Sequence, residues 1–341
     1  MIQQARILSP GVVSVDSVPS PVCGPRDAIV DVHACGICGS DLSYIAMGGL
    51  AGPNGEPMPL GHEFAGVVRE VGAEVAGTEV GDRVVVHPGN DDLGRIGNGS
   101  PEGGLAEAVL VRDTARGGRL YPIPDDMPLD VAALAEPVAV GMHAAEQADV
   151  RPGERVAVFG CGPIGLAAIA SLADRGLTDI VGVDLSATRR GLAEQLGAAN
   201  TIDPAAGSVW RELARIHGEV ALTYGTAPAT NAFIEASGSD KVLTGMIDRA
   251  RRGARISVVA LHYNPVAVNF INVLMKEITI RGSMEYPARF ADAIDLLARR
   301  DLSGLITDRF PLHAVDDALQ LLGESRECGK VLIDVRASRE G

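Results

Sequence analysis

Long apolar runs are missing from this chain. None of its 341 residues sit in a stretch approaching the roughly 20 that a membrane-spanning helix needs, and the best candidates, such as GLAAIASLA after Ile164, stop far short. Positive charge is also scarce. Lys and Arg number 30 against 44 Asp and Glu, which leaves a formal net charge of -14. Such a surface repels phosphate backbones and anionic lipid, so neither nucleic acid nor a membrane surface is expected as a partner. Cysteines are few and odd in number: Cys23, Cys35, Cys38, Cys161 and Cys328. Scattered over a long chain, they argue against a disulfide framework. The opening MIQQARILSPG has no charged segment followed by a long apolar one, so no signal peptide is expected. Together these readings place the chain in reducing cytoplasm. There is no internal repeat and no low-complexity segment.

What is present suits a soluble enzyme. Hydrophobic residues make up 46% and charged residues 22%. The length exceeds what one core usually supports, which predicts two domains. The first 145 residues or so alternate short apolar runs with Gly, Pro and Asp breaks, as in DAIVDVHACG, EFAGVVREVG and DRVVVHPG. Those are strand and turn signals. From Arg155 the texture changes. RVAVFG and DIVGVD read as buried strands, and PIGLAAIASLADRG and LSATRRGLAEQLGA as helices. AFIEASG, KVLTGMIDRARRG and ARISVVAL continue the alternation, which predicts an α/β fold with a parallel sheet. VNFINVLMKEITIRG reads as an edge strand leading into the last strand of that sheet.

GCGPIG, Gly160 to Gly165, is the clearest cofactor signal. A lone G-x-G-x-x-G is weak evidence in a chain with 41 glycines. Here it follows a predicted strand, opens a predicted helix through Pro163 and Ile164, and meets Asp184 at the end of the next strand. Gly160 permits the tight turn, Gly162 lets the backbone approach a pyrophosphate, and Gly165 lets helix and strand pack closely. The helix N-terminus offers free N–H groups to phosphate. Asp184 can accept both ribose hydroxyls of NAD, and its charge disfavours the 2′-phosphate of NADP. Arg189 and Arg190 pull the other way, since arginine can welcome that phosphate. The balance predicts NAD.

HACGICGSDL, His33 to Leu42, holds Cys35 and Cys38 in C-x-x-C spacing. That spacing fits half of a structural zinc site, a redox dithiol, or a chance neighbour of a single ligand. GHEFAGVVREVGAEV puts His62 beside Glu63, and LAEPVAVGMHAAE puts Glu136 before Pro137. Cysteine, histidine and glutamate together make a zinc site with an open position. Singly, each has an ordinary reading, and Glu136 suits the first turn of a helix with Pro137 near its start.

GHE-x-x-G-x(5)-G-x-x-V resembles the signature of the zinc-containing medium-chain alcohol dehydrogenases. GICGSD before it and GCGPIG after it match that family in the same order, and the similarity covers nearly the whole chain. DLSATR and AEPVAVGMHA most resemble the polyol branch, the sorbitol and xylitol dehydrogenases, with butanediol and threonine dehydrogenases as neighbours. The resemblance implies a β-rich GroES-like catalytic domain from 1–147 and 283–341 and a doubly wound Rossmann domain from 148–282. It implies Cys38, directly before Gly-Ser-Asp, as the ligand cysteine, with Cys35 no ligand. It implies His62 as the second ligand, Glu136 in the place where the ethanol branch has a cysteine, and Glu63 as a fourth candidate. Asp41 resembles the acid that orients the ligand histidine, and Ser40 the hydroxyl that relays the substrate proton. Many family members carry four closely spaced cysteines in a lobe where this chain reads HPGNDDLGRIGNGSPEGG. One catalytic zinc per subunit and no structural zinc are therefore expected, with the lobe held by other means.

The resemblance implies NAD-linked oxidation of a secondary alcohol, diol or polyol. A dehydrogenase of a bulkier or cationic alcohol is an alternative within the family. A zinc-free quinone-reductase-like or crystallin-like protein is one of another class. Tyr44 falls where the polyol branch has a pocket tyrosine. Glu285 and Tyr286 fall where it tends to have arginine and tyrosine, and Glu285 suits hydroxyls or a cationic group. The glycine-rich loop from Ala46 to Pro59 is a candidate pocket cover. His262 lies just past a strand, near where the nicotinamide should sit, and reads as structural, with a cofactor contact as the alternative. The edge strand predicts a homodimer or homotetramer.

Overall fold

Short β-branched runs broken by glycine and proline give the first part of the chain its strands, and helix-period stretches take over after residue 155. A computed structural model of the chain describes residues 1–51, 55–89, 94–325 and 327–337. It divides into two compact units, one of residues 1–136 with 297–341 and one of 137–296.

In the first unit, β1 (Ile2–Ser9) pairs with β2 (Val12–Val18) and, after β3 (Ala28–Gly36) and α1 (Gly39–Met47), with the short β4 (Met58–Pro59). β5 (Glu63–Val71), β6 (Arg83–Val86), β7 (Ala108–Val111) and β8 (Leu120–Pro122) complete the N-terminal strands. β3 is central and buried along most of its length. It pairs antiparallel with β5 and β7, and with the C-terminal strand Lys330–Asp334. Its core joins Val30, Val32, Phe64, Leu60, Val331 and Ile333, all essentially without solvent contact. The lobe after β6 is tied by polar groups. Arg112 forks onto the buried Glu102 at 2.7 and 2.6 Å, the Ser100 hydroxyl donates to the Glu102 carbonyl, and buried Arg119 donates to the Pro88 carbonyl. Residues 90–93 of this lobe and 52–54 of the Ala46–Pro59 loop lie outside the described residues.

The short α2 (Leu129–Ala132) and α3 (Ala135–Gln147) lead to the second unit. There β9 (Val156–Phe159), α4 (Pro163–Asp174), β10 (Ile180–Val183), α5 (Ala187–Leu196) and β11 (Asn200–Ile202) form one half. After α6 (Val209–His217) and a hairpin of β12 (Glu219–Ala221) and β13 (Thr226–Pro228), the other half follows: β14 (Ala232–Glu235), α7 (Asp240–Arg249), β15 (Arg255–Val258), α8 (Phe270–Lys276) and β16 (Thr279–Gly282). The sheet is wholly parallel, in the order β11-β10-β9-β14-β15-β16, so strand order reverses between β9 and β14. This is the doubly wound topology, which binds its ligand outside the carboxyl ends of the strands at that reversal. α4 is buried from Gly165 through Leu172, which is why its sequence is apolar on every side.

The chain ends with α9 (Ala291–Arg299), β17 (Ile306–Pro311), α10 (Val315–Glu324) and β18 (Lys330–Asp334), with β18 inserted between β17 and β3. One expectation is corrected. VNFINVLMK does not extend the edge strand. Phe270–Lys276 is helical, started by the Asn269 side chain accepting the Ile271 N–H, and only Thr279–Gly282 pairs at the sheet edge.

Candidate active site

The first unit gathers its chemistry at the ends of β3 and β5. β3 stops at Gly36, and Cys38 becomes the residue that starts α1. Asp41, in the first turn of that helix, turns its Oδ2 back to accept the Cys38 N–H at 2.9 Å. This reciprocal cap fixes both side chains relative to one backbone turn. The other oxygen, Oδ1, faces Nδ1 of His62 at 3.6 Å, and neither atom has another hydrogen-bond partner. Both residues are buried.

Glu63 follows His62 and opens β5 opposite Gly36. A Cβ on Gly36 would come within 2.2 Å of the Glu63 carboxylate, so that position must stay bare. Ligand atoms of Cys38, His62 and Glu63 all lie within 4.8 Å of one another. Among the described residues, no other cluster of three such groups forms. Glu136 is buried in the first turn of α3, where it acts on His62 and Lys330 electrostatically without joining that cluster. Ser40 lies half-buried in the first turn of α1, and Tyr44 packs from the same helix against the core.

Lys330 is the participant that sequence reasoning missed. It opens β18, is 3% exposed, and donates to both Glu63 oxygens at 2.7 and 2.6 Å and to the Ile37 carbonyl at 3.1 Å. Its partner lies 267 residues away in sequence, so no local pattern points to it. Burial alone would lower the lysine, but Glu63 holds it above its ordinary value.

The electrostatics suit a cation. Burial would push His62 down, yet Asp41, then Cys38 and Glu136, hold it well above the usual histidine range. A buried site that favours charge on an imidazole in this way is one where a divalent metal can replace the proton. The donor set is thiolate, imidazole and carboxylate, which suits zinc, and a carboxylate stands behind the ring nitrogen, as behind most metal-bound histidines. The residues therefore fit the metal. Cys35 is fully buried with its sulfur against Gly61 and the Gly36 carbonyl. Burial raises its thiol well above the ordinary value, which leaves it inert.

The second unit presents a different construction. Gly160 sits at φ +90°, and a Cβ there would meet the Ala236 carbonyl at 2.6 Å. A Cβ on Gly165 would stand 1.8 Å from the Gly160 carbonyl. Gly162 starts α4 with Pro163 in its first turn and Ile164 next. Asp184, just past β10, accepts the Cys161 N–H at 2.7 Å and the Ser186 N–H at 2.8 Å. These bonds tie the glycine loop to the start of α5, and each oxygen keeps a lone pair for a ligand hydroxyl. Arg190 is committed to the Asp184 and Leu185 carbonyls and to Asp203. The Arg189 guanidinium lies beside Gly162, about one contact distance from where a Cβ would be. Glu285 has a left-handed backbone at φ +63°, and Tyr286 packs edge-on against Phe290 at 5.4 Å.

Comparison with known proteins agrees with this architecture. Residues 24–125 match the alcohol dehydrogenase GroES-like domain and residues 163–299 the zinc-binding dehydrogenase domain. The (R,R)-butanediol dehydrogenase of Neisseria gonorrhoeae is 32% identical over 91% of this chain and 92% of its own. Human sorbitol dehydrogenase is 29% identical over 91% of this chain and 90% of its own. The crystal structure of 2R,3R-butanediol dehydrogenase from Bacillus subtilis superimposes with a TM-score of 0.84 at 29% identity, covering 98% of this chain and 99% of that one. The chain belongs to the zinc-containing medium-chain alcohol dehydrogenase family, near its sorbitol and butanediol branch.

Proposed function

We propose that the protein is a zinc-dependent oxidoreductase that moves a hydride reversibly between NAD and the carbinol carbon of a secondary alcohol, diol or polyol. The observation that carries this reading is the cluster of half-buried Cys38 with buried His62 and Glu63, and Asp41 behind the histidine. When bound, zinc supplies Lewis acidity that lowers the pKa of a substrate hydroxyl, and NAD supplies the hydride acceptor.

In this reading Cys38 and His62 hold the metal, and Glu136 or Glu63 completes the set. Asp41 keeps the His62 ring in one orientation. Lys330 holds Glu63 by both oxygens, so Glu63 would have to share its carboxylate with that lysine if it served as a metal ligand. Ser40 passes the hydroxyl proton outward, because a neutral serine can relay a proton and cannot keep it. Gly160, Gly162, Pro163, Ile164 and Gly165 seat the pyrophosphate, and Asp184 reads the ribose. Arg189 adds attraction for phosphate. Tyr44, Glu285 and Tyr286 are assigned to the substrate pocket. The catalytic domain is taken as 1–147 with 283–341, and the cofactor domain as 148–282.

The reading extends to assembly and location. β16 exposes all four of its residues at the sheet edge, and Phe270, Ile271 and Leu274 of α8 are largely exposed. An open edge beside an apolar helix face suits pairing with a second copy, giving a homodimer or homotetramer. No helix among the described residues is long and apolar enough to cross a membrane, and a cytoplasmic site of action is proposed.

The test is NAD reduction, followed by NADH absorbance, on short secondary alcohols, vicinal diols, sugar alcohols, threonine and bulky cyclic or amino alcohols, with and without a zinc chelator and with NADP as control. Chelator-sensitive turnover of diols or sugar alcohols is expected. Preference for an amino alcohol would favour a cationic substrate set by Glu285. Protein that binds no zinc and gains no activity from it would instead be a zinc-free quinone-reductase-like or crystallin-like member.

A further inference from the structure

In the second unit an uncommon arrangement lies at the carboxyl ends of β14 and β15. Glu235, the last residue of β14, has no solvent exposure. Its Oε1 accepts the Ser237 N–H at 2.9 Å and the Gly238 N–H at 3.0 Å, so the carboxylate shapes the turn between β14 and α7. Its backbone carbonyl accepts the N–H groups of Val259 and Ala260, just past β15. The remaining oxygen, Oε2, is 2.9 Å from Nε2 of His262. The other ring nitrogen, Nδ1, is 3.0 Å from Oδ1 of Asp240, the first residue of α7. The His262 side chain is only 10% exposed.

The turn that Glu235 organises borders the pyrophosphate loop, since a Cβ on Gly160 would strike the Ala236 carbonyl and the Ser237 nitrogen. In a doubly wound sheet the half carrying the glycine loop and Asp184 takes the adenosine side of a dinucleotide. The half made by β14 and β15 takes the nicotinamide side. His262 therefore bridges the two turns over which that side must lie.

We propose that His262 is a positioning residue for the nicotinamide half of the cofactor, and that its imidazolium, clamped between Glu235 and Asp240, locks the ends of β14, α7 and β15 in the cofactor-binding arrangement. Only the charged ring can donate to both carboxylates at once. Glu235 and Asp240 are the charged groups set against it among the described residues. The hydrogen bond that the ring donates to Asp240, opposed by burial and aided by Glu235, holds the imidazole above its ordinary value. On deprotonation one N–H remains. The buried Glu235 keeps it, because an unpaired buried charge costs more than an exposed one, and the tie to the half-exposed Asp240 is lost. The sign follows: the clamp is complete at low pH and released as pH rises through the raised pKa.

The inference rests on nicotinamide cofactor binding by this unit. It is tested by titrating NADH into the full-length protein and following nucleotide fluorescence from about pH 6 to about pH 9. The wild-type Kd is expected to weaken about fivefold as pH rises, a coupling of ordinary size. His262→Gln is expected to bind at the weak, high-pH level throughout. Asp240→Asn, a milder change that keeps the ring and Glu235, is expected to shrink the step and move its midpoint down, since the amide can accept from the charged ring and donate to the neutral one. The His262 ring resonances should titrate at the wild-type midpoint. A wild-type profile preserved in His262→Gln, or a flat wild-type profile, would overturn the assignment while leaving cofactor binding intact. Absence of any NADH binding to wild type would overturn the cofactor reading and this inference with it.

Discussion

The two units solve the problem of holding a ligand in opposite ways. The first concentrates charged and polarizable side chains together, half-buried Cys38 with buried Asp41, His62, Glu63 and Lys330. Its specificity comes from what those groups are and from how each is paired. The second works mainly by leaving side chains out. Gly160 and Gly165 allow backbone to touch backbone where any Cβ would collide, and the groups proposed to meet a ligand there are N–H groups and one carboxylate. A site made of buried charge is vulnerable to losing a partner, and one made of bare backbone is vulnerable to gaining an atom.

That contrast can be broken at its strongest point first. Cys38→Ser should abolish zinc retention and turnover, a loss exceeding the about 10- to 100-fold expected for partners behind the ligands, while NADH still binds. Metal content by atomic absorption and NADH titration on the same sample check both halves. Loss of NADH binding as well would mean that the two sites are not separable. Next, Lys330→Met leaves Glu63 buried without its cation and should destabilise the protein by about 3–5 kcal/mol in denaturant melts. A near-zero change would show that Glu63 finds another partner, bound metal being the obvious one. Adding zinc during the melt distinguishes these.

Asp41→Asn keeps the shape behind His62 and removes the charge. Zinc affinity or kcat/KM should fall about 10- to 100-fold, read by chelator competition, with stability less affected. The smallest effect sharpens the other side of the comparison. Gly165→Ala adds one methyl against the Gly160 carbonyl and should cost about 1–3 kcal/mol through forced backbone shifts. It should weaken NADH binding and leave metal content unchanged.

How far each region could be read from sequence follows the same division. The glycine loop was legible from spacing together with its flanking elements, because the whole pattern is local: strand, turn, helix and Asp184 lie within 25 residues from Gly160. Cys38, His62 and Glu136 were legible as residue types, and only the family resemblance singled out Cys38 over Cys35. Burial gives the physical reason Cys35 is inert, and burial is not written locally in HACGIC. Lys330 and the bridge from His262 to Glu235 were invisible, since each joins strands brought together by topology. The helix Phe270–Lys276 was misread because a short apolar run fits either period. Asn269 before it was the available signal, a preferred helix-starting residue.

The placement of β18 has a consequence for biosynthesis. A chain made only as far as Cys328 already contains every candidate metal ligand, but lacks the strand that seals β3 and the lysine that neutralises Glu63. Ligand residues emerge early, whereas the contact that completes their surroundings closes a loop of 267 residues. Contacts of such long range form late and slowly. Premature termination or unfolding of this one strand would therefore yield a protein that holds cofactor-binding architecture and every candidate metal donor, yet presents an uncompensated carboxylate beside them.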